Sequence, residues 1–94
     1  MSDNKKQIVV LARRDHTEAM RVAAGLTIFG HNLRLIFMDR PVSQEVAQSE
    51  YAELLELADI MPETTIAEMA DDLPMLDAEK LFEAIDNADG VINI

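Results

Sequence analysis

The chain has 94 residues, no cysteine and a formal net charge of −10. It is long enough for one domain with an adequate but thin core, and it can form no disulfide, thiolate metal site or nucleophilic thiol. Residues 1–40 carry seven basic side chains against four acids, whereas residues 41–94 carry Lys80 alone against fourteen acids; a surface so acidic disfavours nucleic acid and anionic membranes as partners.

The start, MSDNKKQ, is polar and unlike a secretion signal, and no segment approaches the roughly 20 apolar residues of a membrane span. The expectation is a soluble, cytoplasmic single domain over 1–94. Gln7–Ala12 (QIVVLA) is a β-branched apolar run without alternation, the pattern of a strand buried on both faces of a parallel sheet. Asp15 and Glu18 have the spacing of a capping box and Gly30 that of a C′ glycine, which predicts a helix over 16–29. A second strand over 33–38 (LRLIFM) ends at Asp39-Arg40-Pro41.

Ser43 caps a predicted second helix over 44–58, with Ala47, Tyr51, Leu54, Leu55 and Ala58 on its apolar face. A short third strand is predicted at 59–61, ended by Pro62, and a short helix near 66–72, where Thr65 and Glu68 again have capping-box spacing. Asp77 caps a last helix to about Ala88, and VINI, 91–94, reads as the closing strand. Strands alternating with helices predict a three-layer α/β/α sandwich of the flavodoxin-like kind, with a mostly parallel sheet of about four strands.

The first helix is unusual. Between Glu18 and Phe29 only Glu18, Arg21 and Thr27 are polar, and a helix apolar nearly all round needs cover on both sides. A second subunit could supply it through Val22, Leu26 and Phe29, which predicts a homo-oligomer assembled through the helix 16–29. The alternative is cover by neighbouring helices of the same chain.

Parallel strands end on one edge, where open α/β sheets bind ligands. Arg13 and Arg14 follow the first strand and Arg40 the second, so with Thr17 and the helix N–H groups they form a candidate small-anion site. Against this stands a plain joint, with Asp15 capping the helix and the arginines paired to acids. His16 in the same loop suggests affinity tuning or phosphotransfer, although a solvated first-turn histidine is the commoner case. His31, after Gly30, is placed to meet the helix carbonyls. Neither GxGxxG nor GxxxxGK[ST] occurs, and two histidines with scattered carboxylates give no metal-ligand spacing. No cofactor, metal or catalytic constellation is expected.

The runs KKQIVVL, AMRVAAGLTIF, GHNLRLIFMDRPV and LFEAIDNADGVINI resemble the DsrE/DsrF-like family, small α/β proteins of intracellular sulfur transfer. The resemblance covers about two-thirds of the chain and implies the fold, a tendency to oligomerise, and a DsrE-family or sulfur-carrier protein as partner. Active members of that family carry a sulfur-accepting cysteine, commonly after the third strand. Here that region reads MPETT and no cysteine occurs anywhere. The chain is also short for the family, which implies a reduced strand or helix in its second half. The expectation is a non-catalytic DsrE-like protein, either an assembly or partner subunit or a small-anion binding module linked to sulfur metabolism. The alternative is an enzyme, acting by phosphotransfer at His16 or by sulfur transfer completed with a partner's cysteine.

Overall fold

A computed structural model describes residues 6–94; residues 1–5, part of the polar start, lie outside the described residues. The elements are β1 (Gln7–Ala12), α1 (His16–Ile28), β2 (Asn32–Phe37), α2 (Gln44–Ala47), α3 (Glu50–Leu57), β3 (Glu63–Thr64), a 3-10 turn (Ala67–Met69), α4 (Ala78–Asp86) and β4 (Gly90–Asn93). The four strands form one parallel sheet in the order β3-β2-β1-β4. The chain steps outward from β1 to β2 and β3, then crosses back to place β4 on the other side of β1.

That reversal puts helices on both faces. Val10, Ala12, Leu33, Leu35 and Phe37 pack with α1 and with Leu55 of α3. Their neighbours in alternation, Val9, Leu11 and Ile36, meet Leu76 and the inner face of α4, including Leu81 and Ile85. The alternation of two cores along β1 and β2 follows from the period of two in a strand. The result is the expected three-layer sandwich. No helix among the described residues is long and apolar enough to cross a membrane.

Helix α1 packs its buried stripe, His16, Ala19, Met20, Ala23 and Ala24, against the sheet. These are the i, i+3, i+4, i+7, i+8 positions of one face, and the three alanines let the helix axis come close. Its flank is covered within the same chain: Leu26 packs in one cluster with Tyr51, Ala52 and Leu55. The outer stripe carries Arg21, whose Nε and Nη2 donate to Glu18 at 2.7 and 2.6 Å. Ile28 and Phe29, at the helix end, remain 78% exposed. Val22 and Leu26 are therefore half-buried, and of the three residues expected at a second interface only Phe29 is open to solvent.

Several local expectations need correction. The capping box is half-built: Asp15 accepts from the Glu18 N–H at 3.0 Å, but Glu18 turns outward to Arg21, and the Asp15 N–H goes to the Ile94 carbonyl. The helix expected over 44–58 breaks in two at Gln48-Ser49, where Ser49 adopts extended backbone as the cap of α3 and donates its hydroxyl to the Val46 carbonyl. The third strand lies at 63–64 rather than 59–61, because Asp59 is left-handed (φ 60°). The Asp59 and Ile60 N–H groups close back on the carbonyls of Glu56 and Leu55, a Schellman ending with aspartate where glycine is usual. The helix expected near 66–72 is one 3-10 turn without a Thr65 cap. His31 turns from the helix carbonyls, and its Nδ1 accepts from the Lys6 N–H.

Candidate functional site

The topology places a switch point between β1 and β4, and beyond the carboxyl ends of such strands ligands usually bind. Here the crevice is bridged by backbone. The Ile94 carbonyl accepts from the N–H groups of Arg14 (2.9 Å) and Asp15 (3.2 Å), so the mouth of α1 is tied to the end of β4.

The loop after β1 and the loop after β2 meet on this rim, as the sequence predicts. Arg40 joins them: its Nη1 donates to the Arg13 carbonyl at 2.9 Å and its Nη2 to the Arg14 carbonyl at 2.6 Å. The turn that aims it is tight, with Asp39 at φ 73° and the Arg40 N–H donating to the Met38 carbonyl. Arg13 in turn faces Asp39 at 3.5 Å. The three arginines thus come together, but Arg40 spends two donors on backbone carbonyls and Arg13 has a carboxylate neighbour. Arg14 and Thr17 lie exposed at the same corner.

His16 is not the solvated residue expected at a first turn. It is 4% exposed, its Nε2 lies 3.2 Å from the Met38 carbonyl, and its ring meets Phe37 edge-on with centroids 4.9 Å apart. A carbonyl can only accept, so Nε2 carries a hydrogen in this contact. Burial, opposed by the Met38 hydrogen bond and reinforced by the Arg40 charge, lowers its pKa below the ordinary imidazole value. The groups that hydrogen-bond to the ring are backbone carbonyls. His16 ties α1 to the end of β2 from beneath the rim.

A second feature of the carboxyl edge escapes sequence reasoning. An open cleft of about 660 Å³ lies between the end of β2, α1, the α2–α3 pair and the 60s–70s segment. Its walls are apolar, with Phe37, Val42, Leu55, Ile60 and Leu73 prominent, and Glu56, Asp59 and Asp72 contribute carboxylates. Phe37 belongs to both places: it lines the cleft and takes the edge of the His16 ring. The lining residues come from segments more than fifty positions apart, so no contiguous motif marks them. The split of α2 from α3 and the Asp59 turn, both missed by the periodicity, lie along this wall.

Among the described residues no group of three or more His, Asp or Glu side chains is placed to hold a metal ion. Comparisons of the chain with protein-family models, with curated proteins and with solved structures found no match.

Proposed function

We propose that this chain is a non-catalytic binding subunit, a cysteine-less DsrE-like protein that works in the cytoplasm by associating with a DsrE-family or sulfur-carrier partner. The observation that carries the reading is the state of His16. At the edge where an α/β protein does its chemistry, the one imidazole is buried and engaged with backbone and Phe37. A phosphoacceptor or general base must reach its substrate, and this ring does not. The sequence offers no thiol in its place. The parallel three-layer fold is the architecture that the resemblance implies, and it supports the family reading only at that level.

The arginine rim speaks against anion binding, because Arg40 spends its donors as a clamp between two loops of this chain. Intact-mass measurement after incubation with a persulfide donor, and separately with acetyl phosphate, tests the absence of covalent chemistry; the expected mass is unchanged. Added sulfur, or phosphate mapped to His16, would overturn the reading in favour of an enzyme. Sulfate, phosphate and thiosulfate titrated to millimolar concentration should leave the amide signals of 13–18 and 40 in place. Saturable shifts there, weakened by Arg14→Ala, would make the small-anion module the better description.

A further inference from the structure

We propose that the cleft beside Phe37 receives the apolar face of a basic amphipathic helix presented by a partner protein. The inference rests on the reading of this chain as a binding subunit and names the chemistry of what it binds.

Three observations converge on that occupant. First, the cleft is an open apolar trough rather than a closed chamber, and Met61, one of its liners, is 65% exposed. An amphipathic helix offers apolar anchors at i, i+3 or i+4 and i+7, spaced to follow such a trough. Second, two of the liners at least partly open to solvent, Met61 and Met69, are methionines. Their unbranched, polarizable side chains re-pack around different apolar partners, a composition characteristic of helix-accepting surfaces.

Third, the charged residues that line the cleft are all acidic. Glu56, Asp59 and Asp72 line it, and residues 41–94 hold Lys80 as their only basic group. A second copy of the chain would bring another formal charge of −10. A helix with Lys or Arg beside its apolar stripe matches instead: the stems lie along the walls while the heads reach the carboxylates.

Asp59 sharpens the assignment. It occupies the left-handed position that ends α3 (φ 60°), where glycine is preferred. The position therefore allows stability and recognition to be separated by one substitution.

The test uses the whole chain, isotopically labelled, and a peptide of about 18 residues, or five helical turns, built from leucine and lysine in amphipathic order. Controls are the same peptide with glutamate for lysine, and benzyltrimethylammonium as a small organic cation. The lysine peptide is expected to bind with a micromolar dissociation constant and to shift amide signals in 42–47, 55–61 and 69–73. The glutamate peptide should bind at least about tenfold more weakly, and rising salt should weaken the lysine peptide.

Asp59→Lys should weaken it by about tenfold or more, whereas Glu83→Lys on α4, across the sheet, should change affinity by less than about twofold. Asp59→Gly should raise the melting temperature and still weaken binding, which no loss of folding can imitate. Equal binding of the two peptides, shifts centred on α4, indifference to Asp59→Lys, or saturation of the cleft by benzyltrimethylammonium at concentrations where the peptide does not bind would each overturn the proposal. None of these outcomes adds sulfur or phosphate to the chain, so the proposal can fail while the non-catalytic reading stands.

Discussion

The first forty residues and the remaining fifty-four are built by different rules. Of the fifteen buried apolar residues among those described, twelve lie between Val9 and Phe37, and only Leu55, Leu76 and Ala84 belong to the later chain. The early part forms two six-residue strands and a thirteen-residue helix. The later part forms two strands of two and four residues, a 3-10 turn and three helices of four, eight and nine residues. One region buries itself and supplies the two central strands. The other adds the two edge strands, carries most of the acids and leaves a cleft where its segments fail to close.

The strongest way to break this contrast is to remove a core residue from the early region. Leu35 is fully buried, and Leu35→Ala should cost about 2–5 kcal/mol, enough to unfold much of the population. Chemical denaturation should show a loss shared by both regions, since the later one has no other platform. A variant that keeps signals of 7–37 while losing 44–57 would reverse the assignment of roles.

Thr64 joins the regions, and its removal should have the next largest effect. The side chain is 0% exposed; its hydroxyl donates to the Phe37 carbonyl and accepts from the Ile66 N–H. Its backbone meanwhile pairs with Pro74 and Leu76. Thr64→Val keeps the shape and strands the Ile66 donor, a cost of about 1–3 kcal/mol. Amide exchange should accelerate in 60–76 well beyond the change in β1. Uniform acceleration would mean that the two regions open together.

His16 adds a pH dependence to the early region. Its pKa is lowered by burial, so the unfolded chain takes up the proton first as pH falls. Stability should be full above about pH 6.5, the ordinary imidazole value, and should decline below it until the folded-state pKa is passed. Denaturation midpoints across this range, compared with His16→Gln, isolate the contribution. A variant with the same slope would assign the loss to other groups.

The smallest effect belongs to Arg34 and Glu63, which link β2 to β3 through two hydrogen bonds of 2.9 and 2.7 Å. The pair faces solvent on the arginine side, and Arg34→Met should cost less than about 1 kcal/mol, shrinking with added salt. Thermal denaturation at low and high salt reads it. A larger, salt-independent loss would show that this pair, rather than Thr64, secures the edge strand.

The same division governs how much of the molecule is legible in its sequence. In the early region periodicity, the Asp15 cap and Gly30 mark elements whose bounds agree with the structure within a residue, because burial there is dense enough to dominate the pattern. The rim also follows from strand ends alone: Arg13, Arg14 and Arg40 meet where parallel order requires. What the loops do with them does not follow, since Arg40 binds carbonyls and carbonyls leave no mark on a sequence. In the later region aspartate stands where a glycine would announce the end of α3, and Ser49 restarts a helix in a run that reads as continuous. The cleft lies along those two breaks, and it stays hidden for the same reason.

The position of β4 has a consequence for how the chain reaches this fold. Ile8 to Leu11 of β1 pair with residues 90–93 on one side and with β2 on the other. During synthesis β1 and β2 can associate early, yet one edge of β1, lined by Val9, Val10 and Leu11, must wait for nearly the whole chain. Closing so long a loop is slow, and an open apolar strand edge invites pairing with another nascent copy. Expression at higher ribosome density should therefore favour aggregates that incorporate β1, and a lysine introduced at Val91, which is exposed on the late strand, should leave that early hazard unchanged.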